Sequence, residues 1–164
     1  MRTVLESLPD FRLGSADIWT SGQPDLVQLA SLAAEGIQWV INLGVLDSPY
    51  AHPEERQVVE SAGMDYVHIP VLFNHPKQAD YLKFEAELLR RAGQRLLIHC
   101  VRNFRVSAFL TLYRVRHQGW SREKALDALT TFWRSEPAWS ELLESLFFPA
   151  MKSQSHSAQA ASVL

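Results

Sequence analysis

One cysteine, two arginines and a serine fall in the stretch His99-Cys100-Val101-Arg102-Asn103-Phe104-Arg105-Val106-Ser107. The apolar run Leu96-Leu97-Ile98 leads into it and a helix-forming run from about Val106 to His117 leads out. That order predicts a short buried strand, a tight turn and an apolar helix. The first N–H groups of a helix have no internal partner and, with the helix dipole, attract an anion. A cysteine at that mouth is biased towards the thiolate, its nucleophilic form. Arg105, with Arg102 nearby, would bring forked donors to a bound oxyanion, a geometry that lysine does not supply. Ser107 would hydrogen-bond the sulfur and help it to leave in a second step. The chemistry suggested is covalent thiol catalysis on an oxyanion. The competing reading is a buried apolar Cys100 with Arg105 solvated on a helix turn.

His99-Cys100, Arg105 and Ser107 resemble the active-site loop of the cysteine-dependent protein tyrosine and dual-specificity phosphatases. The register differs, because those enzymes usually place five residues between cysteine and arginine and this chain places four. Counted from Cys100, the serine falls where that family has its Ser/Thr, and the arginine comes one place early. Four is also the spacing of rhodanese-like sulfurtransferase loops and of a bacterial phosphatase-like family, which matches best. That resemblance runs from Ser21-Gly22-Gln23-Pro24 through Val40-Ile41-Asn42-Leu43 to a helix ending near Trp133 and the segment around Trp139, roughly residues 10 to 148. It implies a dual-specificity phosphatase-like α/β fold. It also implies in-line attack by Cys100, with the phosphate held by Arg105 and the backbone of Val101, Arg102, Asn103, Phe104 and Arg105. His99 would organise the loop by hydrogen bonding, and neither metal nor cofactor is required. Two other classes stay open: a sulfurtransferase carrying a persulfide on Cys100, and a non-catalytic module that binds phosphorylated ligands.

The general acid is the weak point of the resemblance. Tyrosine-phosphatase-like enzymes usually carry an aspartate in the loop that corresponds here to Leu72-Phe73-Asn74-His75, which holds no carboxylate. Asp47, on the loop after the preceding strand, and His75, within the loop itself, are the candidates by location. Asp80 reads as a helix-start charge and Asp65 as a solvated residue before a strand. Asn103 suits the φ > 0 that turning loop N–H groups inward can require. Phe104 is expected to pack against the core, with stacking on an aromatic substrate as the alternative.

The frame around the loop is a single α/β domain over residues 1 to 150. Its 164 residues, 47% hydrophobic and 21% charged, are globular values. A net charge of −2 with no basic run gives no expectation of a nucleic-acid or membrane partner. A lone cysteine excludes an intramolecular disulfide and suits a reducing cytoplasm. Neither a signal peptide nor a membrane span is legible. The histidines show no paired ligand spacing. A protease-like dyad of Cys100 with His99 is disfavoured because neighbours on a strand point to opposite faces.

In chain order, edge strands are expected within Phe11 to Trp19, followed by a turn at Ser21 to Asp25 and a helix to about Glu35 closed by Gly36. The turn is read as a cap without a catalytic role. Next come a strand from Gln38 to Leu43, a helix from Pro53 to Ala62 stopped by Gly63, a strand from Tyr66 to Val71, and a helix from Gln78 to Ala92 stopped by Gly93. After the Leu96 strand and the Val106 helix, two more helices run from Ser121 to about Arg134 and from Pro137 to Phe148. Trp133, Trp139, Leu142, Leu146 and Phe147 should close the core. Residues 151 to 164, rich in Ser, Ala and Gln, are expected to be disordered. Alternating strands and helices with short connections predict a central parallel sheet flanked by helices. Ligands of such sheets bind at the carboxyl ends of the strands, where Cys100 would lie.

Overall fold

In the computed structural model, which describes residues 2–129 and 136–147, five strands form one sheet: β1 (Arg12–Leu13), β2 (Ile18–Ser21), β3 (Trp39–Asn42), β4 (Asp65–His68) and β5 (Leu96–His99). Their order across the sheet is β1-β2-β5-β3-β4, with β1 antiparallel to β2 and every other pairing parallel. This is the expected α/β architecture, and it puts the strand that leads to Cys100 at the centre. All four residues of β5 are buried, as its unbroken apolar run requires of a strand covered on both faces.

Alternation along the strands divides the core in two. Val40 and Leu97 point to the side covered by α1 (Leu26–Ser31) and α2 (Glu55–Ser61), among Leu29, Leu32 and Val59. Ile41, Leu96 and Ile98 point to the other side, among Phe84, Phe109, Leu112 and Trp139. These come from α3 (Gln78–Arg90), α4 (Phe104–His117) and α6 (Pro137–Phe147). A short α5 (Arg122–Ala128), capped by Ser121, packs on α4. Helix α4 is buried over eight of its residues, so it is the inner helix of that layer.

Several boundaries differ from expectation for identifiable reasons. After α1 the chain tightens into a 3-10 turn at Leu32–Glu35 and ends at Gly36 with φ +83°, a common way to close a helix. Regular pairing of β4 stops at His68 because Pro70 has no N–H to give. Even so, Ile69 and Val71 donate to Asn42 and Leu43 at 2.9 and 3.1 Å. Helix α4 begins at Phe104, two residues before Val106, which brings Arg105 into its first turn. Asp80 caps α3 by accepting from the Lys77 N–H at 3.3 Å. Trp139, Leu142 and Leu146 lie in the core as expected. Trp133, the side chain of Phe147 and residues 148–164 lie outside the described residues. Among the described residues no helix is long and apolar enough to cross a membrane.

Candidate active site

Because β3, β4 and β5 run parallel, the loops that follow them converge at one edge of the sheet. There they enclose a cavity of about 270 Å³ lined by Ser48, Tyr50, Phe73, Cys100, Val101, Arg102, Phe104 and Arg105. Cys100, 1% exposed, is at its base. Arg105, 6% exposed, donates from Nη1 to the Val71 carbonyl at 2.8 Å. One of the five guanidinium N–H groups thus fixes the side chain to the end of the neighbouring strand. Phe73 forms part of the wall, and its carbonyl accepts from Trp139 Nε1 at 2.6 Å. Phe104 both lines the cavity and packs against the core, with the Arg102 guanidinium 5.8 Å from its ring centre.

The loop backbone is held from outside. Asn103 has φ +67°, and its Nδ2 donates to the Asp10 carbonyl at 2.8 Å and to Thr20 Oγ1 at 3.0 Å. The Val101 carbonyl accepts from the Gln23 N–H at 2.9 Å, and the Asn103 carbonyl accepts from the Ser107 N–H at 3.0 Å. Gly22 lies so close that a Cβ there would stand 2.6 Å from the Val101 oxygen. The Ser21 to Pro24 turn is therefore more than a helix cap, since it is packed directly beneath the cysteine loop.

Asn103→Ala should lower the thermal midpoint by several degrees. It forfeits two hydrogen bonds and places a Cβ-bearing residue without local polar compensation in the left-handed region, at about 1–2 kcal/mol. Asn103→Gly, which keeps the backbone freedom, should lose less. Calorimetry of the two variants gives the order.

Beneath the loop lies a buried ionic group that sequence reasoning missed. Glu55, 2% exposed, pairs through Oε1 with Nε2 of His99, itself 0% exposed. Gln23 Nε2 donates to Glu55 Oε2 at 3.0 Å, and His99 Nδ1 stands 3.3 Å from the Cys100 carbonyl oxygen. Burial pushes the Glu55 carboxyl up, but the pull of His99 and hydrogen bonds from His99 and Gln23 outweigh it. The group is held below its ordinary 4.5. One sequence signal was present, because Glu55 stands four residues before the buried Val59, on the apolar stripe of its helix.

The other expected residues lie elsewhere. Asp47 and His75 are exposed on the loops after β3 and β4, and neither lines the cavity. Ser107 is two residues beyond Arg105, about 200° around the helix. It faces a separate hollow shared with Thr20, Thr111 and Arg114. Ser48, Tyr50 and Phe73 occupy the cavity wall without having been singled out. Among the described residues no group of His, Cys, Asp or Glu is placed to hold a metal ion.

No protein-family model and no curated protein matches the chain. Among solved structures it is similar to a DUF442 protein from Shewanella putrefaciens, assigned as a phosphatase, in two crystal structures. Identity is 33% and 34%, coverage is 85% and 87% of this chain and 89% and 94% of the other, and the TM-score is 0.77 for both. At lower identity the fold also matches Tk-PTP in its active form (21% identity, 86% and 98% coverage, TM-score 0.68). It likewise matches the core catalytic domain of the PP-IP phosphatase SIW14 from S. cerevisiae in complex with citrate (18% identity, 93% and 94% coverage, TM-score 0.68). The chain therefore has the protein tyrosine/dual-specificity phosphatase-like fold and belongs to the DUF442 family.

Proposed function

We propose that this protein hydrolyses phosphate monoesters through a phosphocysteine formed on Cys100. The observation that carries the reading is the placement of Cys100 and the anchored Arg105 in one small cavity at the start of a 14-residue helix. Cys100 Sγ attacks phosphorus in line and forms an S–P bond. The ester P–O bond breaks, and its electron pair leaves on the alcohol oxygen. Water then attacks phosphorus, the S–P bond breaks and the thiolate returns with inorganic phosphate released. The first-turn N–H groups of α4, the backbone from Val101 to Arg105 and the free donors of Arg105 hold the equatorial oxygens as charge builds on them.

The cavity selects its ester by size and polarity. Among the described residues, Arg102 and Arg105 are the cations that line it, beside the aromatic walls of Tyr50, Phe73 and Phe104, which suits one phosphate on an aromatic or apolar group. Among the described residues no carboxylate lines it, so the leaving oxygen takes its proton from solvent and aryl esters react faster than alkyl esters. Asp47, His75 and Ser107 have no part in this reading.

The four-residue spacing between Cys100 and Arg105 makes sulfur transfer the rival to test. p-Nitrophenyl phosphate hydrolysis and thiosulfate-to-cyanide sulfur transfer, run on the same preparation, should give phosphate and no thiocyanate. Thiocyanate without phosphate would overturn the reading in favour of a persulfide carrier. Silence in both assays would leave a phosphate-binding module.

A further inference from the structure

Glu55 is an acidic residue at the start of α2, a position that the helix dipole favours in any case. Its side chain, however, meets His99 on the central strand β5, 44 residues away in sequence, and both partners are buried. A buried ion pair is a poor stabiliser, since apolar residues of similar volume usually do as well or better. Its location here is more informative than its energy. The pair is directly beneath the cysteine loop, and the two ring nitrogens of His99 face two acceptors, the Glu55 carboxylate and the Cys100 carbonyl. A backbone carbonyl can only accept, and so can an ionised carboxylate. Both nitrogens must therefore carry protons for both contacts to be hydrogen bonds.

We propose that Glu55 is a positioning residue that keeps His99 doubly protonated, so that His99 fixes the Cys100 carbonyl and sets a positive charge on the strand residue next to the thiolate. Gln23 completes the device. Its Nε2 orients the second carboxylate oxygen while its backbone N–H holds Val101, so one residue couples the carboxylate to the loop. This gives the Ser21 to Pro24 turn a place in catalysis that its helix-capping role alone does not explain. Among the described residues, His52 and Tyr66 are the other titratable groups that act on Glu55 or are acted on by it; the first favours the ionised carboxylate, and the Tyr66 hydroxyl accepts from Asn42 at 3.0 Å. The inference rests on Cys100 being the nucleophile proposed above.

The first test needs no variant at Glu55. Side-chain ¹H–¹⁵N correlation spectra of the intact protein, with His99 assigned by its loss in His99→Asn, should show both ring nitrogens protonated at neutral pH. One unprotonated nitrogen would overturn the proposal. The second test is the pH dependence of Cys100 alkylation by iodoacetamide in wild type and Glu55→Gln. The carboxamide preserves the volume but not the charge, and its midpoint should move about one unit towards alkaline pH. kcat for p-nitrophenyl phosphate should fall about tenfold with KM little changed, as expected for a residue acting through the nucleophile. Coincident alkylation curves would overturn the role of Glu55 even if phosphate is released. Separated curves with no phosphate released by wild type would instead remove the phosphatase reading and leave Glu55 as the residue that tunes the thiol.

Discussion

Cys100→Ser should bring p-nitrophenyl phosphate hydrolysis down to the rate without enzyme, a loss of at least about 10⁴-fold, as removal of a covalent nucleophile typically produces. The substitution is close to isosteric at a site that is 1% exposed, so the fold should survive. A serine hydroxyl is not ionised near neutrality, and no base lines the cavity among the described residues to activate it. The donors that hold the anion are untouched, and inorganic phosphate should bind the variant about as well as wild type when followed by calorimetry. Activity that persisted at more than a few per cent would show that the sulfur is not the attacking atom. Retained phosphate binding with abolished turnover would separate holding the anion from reacting with it.

Arg105→Lys should cost about 10²–10³-fold in kcat, the usual consequence of losing a key oxyanion donor. Lysine keeps the charge but not the fork. An ammonium cannot reach the Val71 carbonyl and two phosphate oxygens in one plane. The wild-type guanidinium is held at 2.8 Å from that carbonyl and is 6% exposed, so its orientation is set before substrate arrives. Part of the loss should therefore appear in kcat beyond any rise in KM. Arg102→Lys is the matched comparison, because Arg102 is exposed at the rim, and its effect should remain within a few-fold. Equal losses in the two variants would mean that Arg105 contributes only charge. Steady-state kinetics of the pair decides.

The fold was largely legible in the sequence because its signals are local. The apolar run Leu96 to Ile98, the glycine stops at Gly36, Gly63 and Gly93, and the strand–helix alternation each report on a few neighbouring residues. The cysteine loop was legible for the same reason, down to the positive φ of Asn103. The residues that surround the loop were not. Glu55 meets His99 across 44 positions, Gln23 meets Val101 across the β2–β5 pairing, and Phe73 is held by Trp139 from the last described helix. Each of these contacts depends on which strands become neighbours, and no single segment encodes that. Ser107 illustrates the converse. Its distance from Cys100 along the chain fitted a role at the sulfur, but its rotation about α4 relative to Arg105 turned it into another hollow.

The position of β5 between β2 and β3 gives the two sides of the cavity unequal lifetimes. The base follows a strand paired along both edges, and breaking those pairings means dismantling the sheet, which puts it at the most protected end of the molecule. The wall carrying Ser48 and Tyr50 belongs to an irregular segment between β3 and α2 and can swing outward without breaking a strand pairing. Ligand exchange can thus proceed through the wall while the thiol and its anion cradle remain assembled. In the phosphatase proposed above, altering that segment would change which esters enter without disturbing Cys100 and Arg105.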